Sequence, residues 1–163
     1  MKTKQPALDA IQTGFYLIFF ATGLIWLYSI YGKFVSGTFV SGLGKTLTFF
    51  ASKNPYPFVK EFLLNTAIPN SQIFAVFTMA GELFAAVSLI YSVVVIIRNR
   101  GQVEFAQQLL FCGLVIGCLL NIIFFFSAGW TSPSTWSINA LMALIQTVGA
   151  ASLYKNLQER PTK

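Results

Sequence analysis

The chain has 163 residues, 55% of them hydrophobic, with 11 Lys/Arg, 5 Asp/Glu and a formal net charge of +6. A soluble domain draws about a quarter of its residues from Asp, Glu, Lys and Arg; here the share is 10%, which excludes a water-facing fold of this size. The charges are also segregated: Ala10 to Gly32 carries none, Phe62 to Ile97 carries only Glu82, and Phe105 to Tyr154 carries none.

Crossing ~30 Å of hydrocarbon takes about 20 apolar residues in a helix. The first charge-free block predicts a span over 11–32. Its apolar run exceeds the roughly 7–15 residues of a secretory signal core, so it is read as a retained span. The connection that follows is long for a structureless loop. Leu43 to Lys53 has helical composition, and after Pro57 the residues Phe58, Val59, Phe62 and Leu63 recur at helical spacing. Two short amphipathic helices are expected there, lying on the outer leaflet or folded back over the bundle as a cap or as the roof of a pocket. A second span is expected over 72–97 and a third over 105–127. Ser127-Ala-Gly-Trp-Thr-Ser-Pro-Ser134 is turn-rich, and its backbone groups would go unpaired in lipid, so a fourth span follows over 135–154. The expected fold is all-α: one integral membrane four-helix bundle over residues 1–163, with short amphipathic helices in the long outer loop.

Four crossings place both termini and the 98–104 connection on one face. That face has Lys2, Lys4, Arg98, Arg100, Lys155, Arg160 and Lys163 against Asp9, Glu104 and Glu159; the other has Lys33, Lys45, Lys53 and Lys60 against Glu61. The positive-inside rule puts both termini in the cytoplasm and the protein in the cytoplasmic membrane. The basic balance is juxtamembrane Lys/Arg meeting anionic lipid. The bilayer is the expected partner, and nucleic acid is not.

The chain has no histidine, which removes His-ligated haem, most zinc sites and histidine bases; no metal site is expected. Cys112 and Cys118 lie six residues apart on one helix, ~9 Å of rise, beyond the ~7 Å limit for a disulfide. Gly113 and Gly117 form a Gly-x-x-x-Gly stripe, extended by Asn121, that serves either packing within the bundle or a homo-oligomer face. Glu82 is the one ionisable side chain deep in a span, where a charge costs about 2.5 kcal/mol or more and ordinarily faces an interior or a wet cavity. Lys33, at the outer end of the first span, is open to two placements: snorkelling outward, or turning inward to pair with Glu82. Both are candidate catalytic residues. Tyr28, Tyr31, Asn121, Trp130 and Asn139 fall in the outer half of the spans and are candidates to line one polar pocket there; Gln12, Thr13 and Gln146 fall outside that group. Interhelical hydrogen bonds with an aromatic belt are the plainer account of the same residues.

These residues carry a resemblance. Gly32-Lys33-Phe34, Asn54, Pro57-Phe58, Gly81-Glu82-Leu83, and Ala128-Gly129-Trp130-Thr131-Ser132-Pro133-Ser134-Thr135 running into Ile138-Asn139 resemble the DoxX superfamily, closest to the DoxD-like subunit of thiosulfate:quinone oxidoreductase, over about residues 14 to 154. The resemblance implies a four-helix membrane protein that helps pass electrons from a reduced sulfur compound to quinone, with Lys33, Glu82, Trp130 and Asn139 at motif positions. The arginine that many members have early in the first span has no counterpart in this chain. Three readings stand on this basis. One is a quinone-contacting subunit with no covalent cofactor, Glu82 handling the proton and a partner redox subunit supplying electrons. Another is a small proton-coupled transporter using Glu82, although its spans lack the matched halves of inverted-repeat transporters. The last is a non-catalytic assembly or scaffold protein.

Overall fold

The computed structural model describes residues 9–98 and 103–158. Lys2, Lys4, Arg100, Glu159, Arg160 and Lys163, all part of the charge count above, lie outside the described residues.

Helix α1 is Ala10–Ser36. It starts where Asp9 accepts the Gln12 backbone N–H at 2.7 Å while the Gln12 side-chain oxygen accepts the Asp9 N–H at 3.3 Å, a reciprocal cap for donors that no helical turn would satisfy. It ends at Gly37, whose φ of 62° takes the left-handed conformation that lets the chain leave the helix. Helix α2, Phe39–Ser52, buries Leu43, Leu47 and Ala51 at a four-residue spacing, the one-face pattern of an amphipathic helix. Helix α3, Pro57–Phe62, opens on a proline, whose missing N–H costs nothing in a first turn, and it widens into a π-helical turn over Leu63–Ala67. Helix α4 is Ser71–Ile97 and α5 is Val103–Ala128. A 3₁₀ turn over Gly129–Thr131 leads to α6, Pro133–Gln158.

The described residues are thus all α-helical in architecture, and α1, α4, α5 and α6 are each long and apolar enough to cross a membrane. Their ends run a few residues past the expected spans. The turn-rich segment is shorter than its composition suggests: Ser127 and Ala128 complete α5, and Pro133 and Ser134 already belong to α6. Large apolar side chains such as Leu24, Phe77, Val87, Leu119, Leu144 and Val148 stay exposed on the outside of these helices. Against water that surface would cost about 25 cal/mol per Å²; against lipid tails it costs nothing. By helix hydropathy this is a multi-pass membrane protein.

Helix α4 packs broadly on α1 and α5, and α5 on α4 and α6, while α1 and α6 meet over a much shorter contact. The main core, among them Phe19, Trp26, Ala85, Leu89, Leu110 and Leu114, fills the space between the long helices. A second core of Leu43, Leu47, Ala51, Val59, Leu63, Ala67 and Ala75 lies beneath α2 and α3. The connection is therefore folded back over the bundle, and its underside is packed apolar side chains. Asn54 fastens it by donating to the carbonyls of Phe126 at 3.1 Å and Ser127 at 3.2 Å, at the end of α5. Glu82 sits eleven positions into α4 and meets Lys33 three positions from the end of α1, so α4 projects about two turns beyond α1. Helix α2 covers that projection, with Gly44 close against Ser71.

Candidate functional site

Two polar clusters lie inside the long helices. The first joins α1 to α4. The Lys33 ammonium donates to both Glu82 carboxylate oxygens, at 2.7 and 2.6 Å, and to Ser29 Oγ at 2.8 Å; Ser29 in turn donates to Glu82 Oε2 at 3.1 Å. All three ammonium protons are engaged. The Glu82 side chain is 0% exposed and that of Lys33 is 18%. On the Lys33 side the Phe39 ring, at the start of α2, stands 5.1 Å from the ammonium, where its face attracts a cation. A carboxylate stripped of water is tolerated only with a close counter-ion and hydrogen bonds to its remaining lone pairs, and Lys33 and Ser29 supply both. Of the two placements open to Lys33, the structure has the inward one. The charge count changes with it. Lys33 leaves the face that carries α2 and α3 to exposed Lys45, Lys53 and Lys60 against Glu61, and the interior of the bundle holds an ion pair with no net charge.

The second cluster joins α5 and α6 and touches α1. Asn121 donates through Nδ2 to the Gly117 carbonyl at 3.0 Å and to Gln146 Oε1 at 2.8 Å. Gln146 is fully buried and Trp26 nearly so. Gln146 Nε2 and Trp26 Nε1 lie 2.6 and 3.1 Å from where a β-carbon on Gly117 would stand. Neither nitrogen finds an acceptor among the described residues. Among the described residues no hydrogen bond links this cluster to the first.

The remaining candidates do not converge into one polar pocket. Tyr28 and Tyr31 are 80% and 64% exposed. The inward face of α1 is set by Trp26, Ile30 and Lys33; Tyr28, two positions from Trp26, is turned ~200° away from it. Rotation about the helix axis therefore keeps both tyrosines out of the interior. Trp130 packs against Phe49 at a tilt of 39°, with 5.5 Å between ring centres, its indole nitrogen buried without a partner among the described residues. Asn139 is buried but donates to the Thr135 carbonyl of its own helix at 2.7 Å. Gly113 is closed over by Ser88 of α4 and Gly117 by Gln146 and Trp26, so this stripe is used within the chain. Cys118 Sγ lies 3.2 Å from Thr147 Oγ1 on α6, and Cys112 is exposed. Away from both clusters, an apolar groove between α1 and α4 is lined by Leu17, Phe20, Val93, Val94, Ile97 and Arg98.

Sequence reasoning did not single out Ser29, Trp26 or Gln146 as site residues. Ser29 was findable, because it stands one helical turn before Lys33 on the same face. Trp26 and Gln146 gave no such signal, since their meeting depends on which helices become neighbours. Comparison with protein-family models, curated proteins and solved structures finds no match to this chain.

Proposed function

We propose that this chain is an integral four-span membrane protein of the DoxX type, with both termini in the cytoplasm, and that it serves as the quinone-contacting subunit of an oxidoreductase for reduced sulfur compounds. The observation that carries the reading is the buried Lys33–Glu82 pair. Reduction of a quinone consumes two electrons and two protons, and an acid within the membrane, backed by a second proton-bearing group, is the equipment such a step needs. Electrons would come from a partner redox subunit. Moving Lys33 inward leaves three cations on the outer face against seven on the face of the termini, which supports the orientation.

The pair offers a ligand only one approach. Glu82 has no exposed face, whereas Lys33 keeps a partly open flank beside Phe39. A carbonyl oxygen arriving there competes with Ser29 for one ammonium proton, because none is spare. The Lys33 ammonium would then hold the oxygen and be the group that gives it a proton, and the Glu82 carboxylate behind it would keep that ammonium charged and in place.

The test is thiosulfate-dependent quinone reduction in membranes containing the wild-type chain or Glu82→Gln at matched protein levels. The expected result is a loss of about 100-fold or more. An undiminished rate would remove Glu82 from the chemistry. Purification in mild detergent should also recover a redox partner and extractable quinone.

One observation favours a second reading, a non-catalytic assembly protein: the closed Lys33–Ser29–Glu82 triangle leaves no bonding capacity unused and clamps α1 to α4. The double variant Lys33→Met/Glu82→Leu separates the two. Under the first reading it loses activity while still binding its partner; under the second it keeps both.

A further inference from the structure

The second cluster holds donors in excess. The orientation of its amides follows from one backbone group: the Gly117 carbonyl accepts from Asn121 at 3.0 Å, which fixes Nδ2 on that side. Asn121 Nδ2 then faces Gln146 and requires an oxygen there, which is Oε1 at 2.8 Å. The other end of the Gln146 amide, Nε2, is thereby turned toward Gly117, where the Trp26 indole N–H also arrives. Both nitrogens lie within 3.1 Å of one point beside Gly117, so they are no more than twice that distance apart. Both are buried with no acceptor among the described residues. Such groups are ordinarily paired, because their bonding capacity is lost in a low-dielectric interior.

We propose that Trp26 Nε1 and Gln146 Nε2, which converge beside Gly117, together bind one neutral acceptor oxygen that receives a hydrogen bond from each. Two donors and no charged side chain select an acceptor over a cation, and the apolar surroundings select a neutral acceptor over an anion. Glycine at 117 is what lets the amide and the indole come together, since a β-carbon there would strike Gln146 Nε2. The oxygen belongs either to a water molecule or to the carbonyl of a membrane-soluble molecule.

The experiment uses the full chain, labelled with ¹⁵N and placed in lipid nanodiscs, with the Trp26 indole resonance assigned by its loss in Trp26→Phe. The expected result is an indole proton at the hydrogen-bonded, downfield position that moves in Gln146→Leu. If water is the source, magnetisation passes from water to this proton, and the resonance survives exhaustive delipidation. If a carbonyl is the source, the resonance shifts upfield on delipidation and returns on titration with a long-chain methyl ketone. An indole proton at the unbonded position in every preparation overturns the proposal. So does a bonded proton that responds to neither water nor ketone, because the chain would then supply its own acceptor. The wild-type spectrum decides between these outcomes even if Gln146→Leu does not fold.

Discussion

The cluster between α1 and α4 and the cluster around Asn121 are both polar, both buried and both built across helices, yet they are opposites in bonding. Lys33, Ser29 and Glu82 match donors to acceptors and cancel their charge. Trp26, Asn121 and Gln146 carry no charge and end with two N–H groups that none of the described residues satisfies. Charge drew attention to the first, but a full set of internal bonds is what a clamp needs. Open donor capacity lies in the neutral cluster, where an acceptor would break no bond, whereas a ligand at the charged pair has to compete with Ser29.

The largest expected effect breaks the charged side of this comparison. Glu82→Ala leaves the buried Lys33 ammonium without its counter-ion and should destabilise the fold by about 3–5 kcal/mol, while Lys33→Met/Glu82→Leu recovers most of that loss; unfolding titrations in mixed micelles, followed by circular dichroism, measure both. Next, Gly117→Ala should cost about 1–3 kcal/mol through overpacking against Gln146 and Trp26. Gly42→Ala on α2, where a β-carbon meets nothing within 4 Å, should be neutral or stabilising by up to about 1 kcal/mol. A smaller loss of about 1 kcal/mol is expected for Gln146→Leu in the same titration, since it removes the bond from Asn121. Glu82→Gln and Gly117→Ala combined should add to within about 0.5 kcal/mol if the clusters are independent; a larger coupling would join them. Tyr28→Phe and Tyr31→Phe complete the series at less than about 0.5 kcal/mol, with quinone reduction unchanged.

The long helices were legible because charge-free blocks of sufficient length have few ways to exist in water. Their ends were less so: Asp9 and Gly37 extend α1 through capping geometry that a hydropathy count does not register. The two short helices over the bundle announced themselves by period, although α2 begins four residues before its expected start because Phe39 and Val40 continue the same turn. Within the site, Glu82 stood out by cost alone, and Lys33 followed as the cation near its depth. Tyr28 and Tyr31 show where depth fails, since rotation about the helix axis decides what a side chain meets. Gln146 shows the other limit: a neutral amide gives little warning in a sequence, and its partners on α1 and α5 are set by tertiary packing.

The distance in sequence between Lys33 and Glu82 bears on how the protein is made. Lys33 belongs to the first long helix to be synthesised and Glu82 to the second, 49 residues later. Until the second arrives, the ammonium has only Ser29 and the lipid interface for company; when it does arrive, a carboxylate has to enter hydrocarbon. The two helices therefore gain by entering the bilayer as a hairpin, with α1 held beside the insertion site until α4 joins it. The short helices between them can be finished only later still, because the carbonyls that hold Asn54 belong to α5. The face of the bundle that carries α2 and α3 is thus completed by a segment synthesised after it.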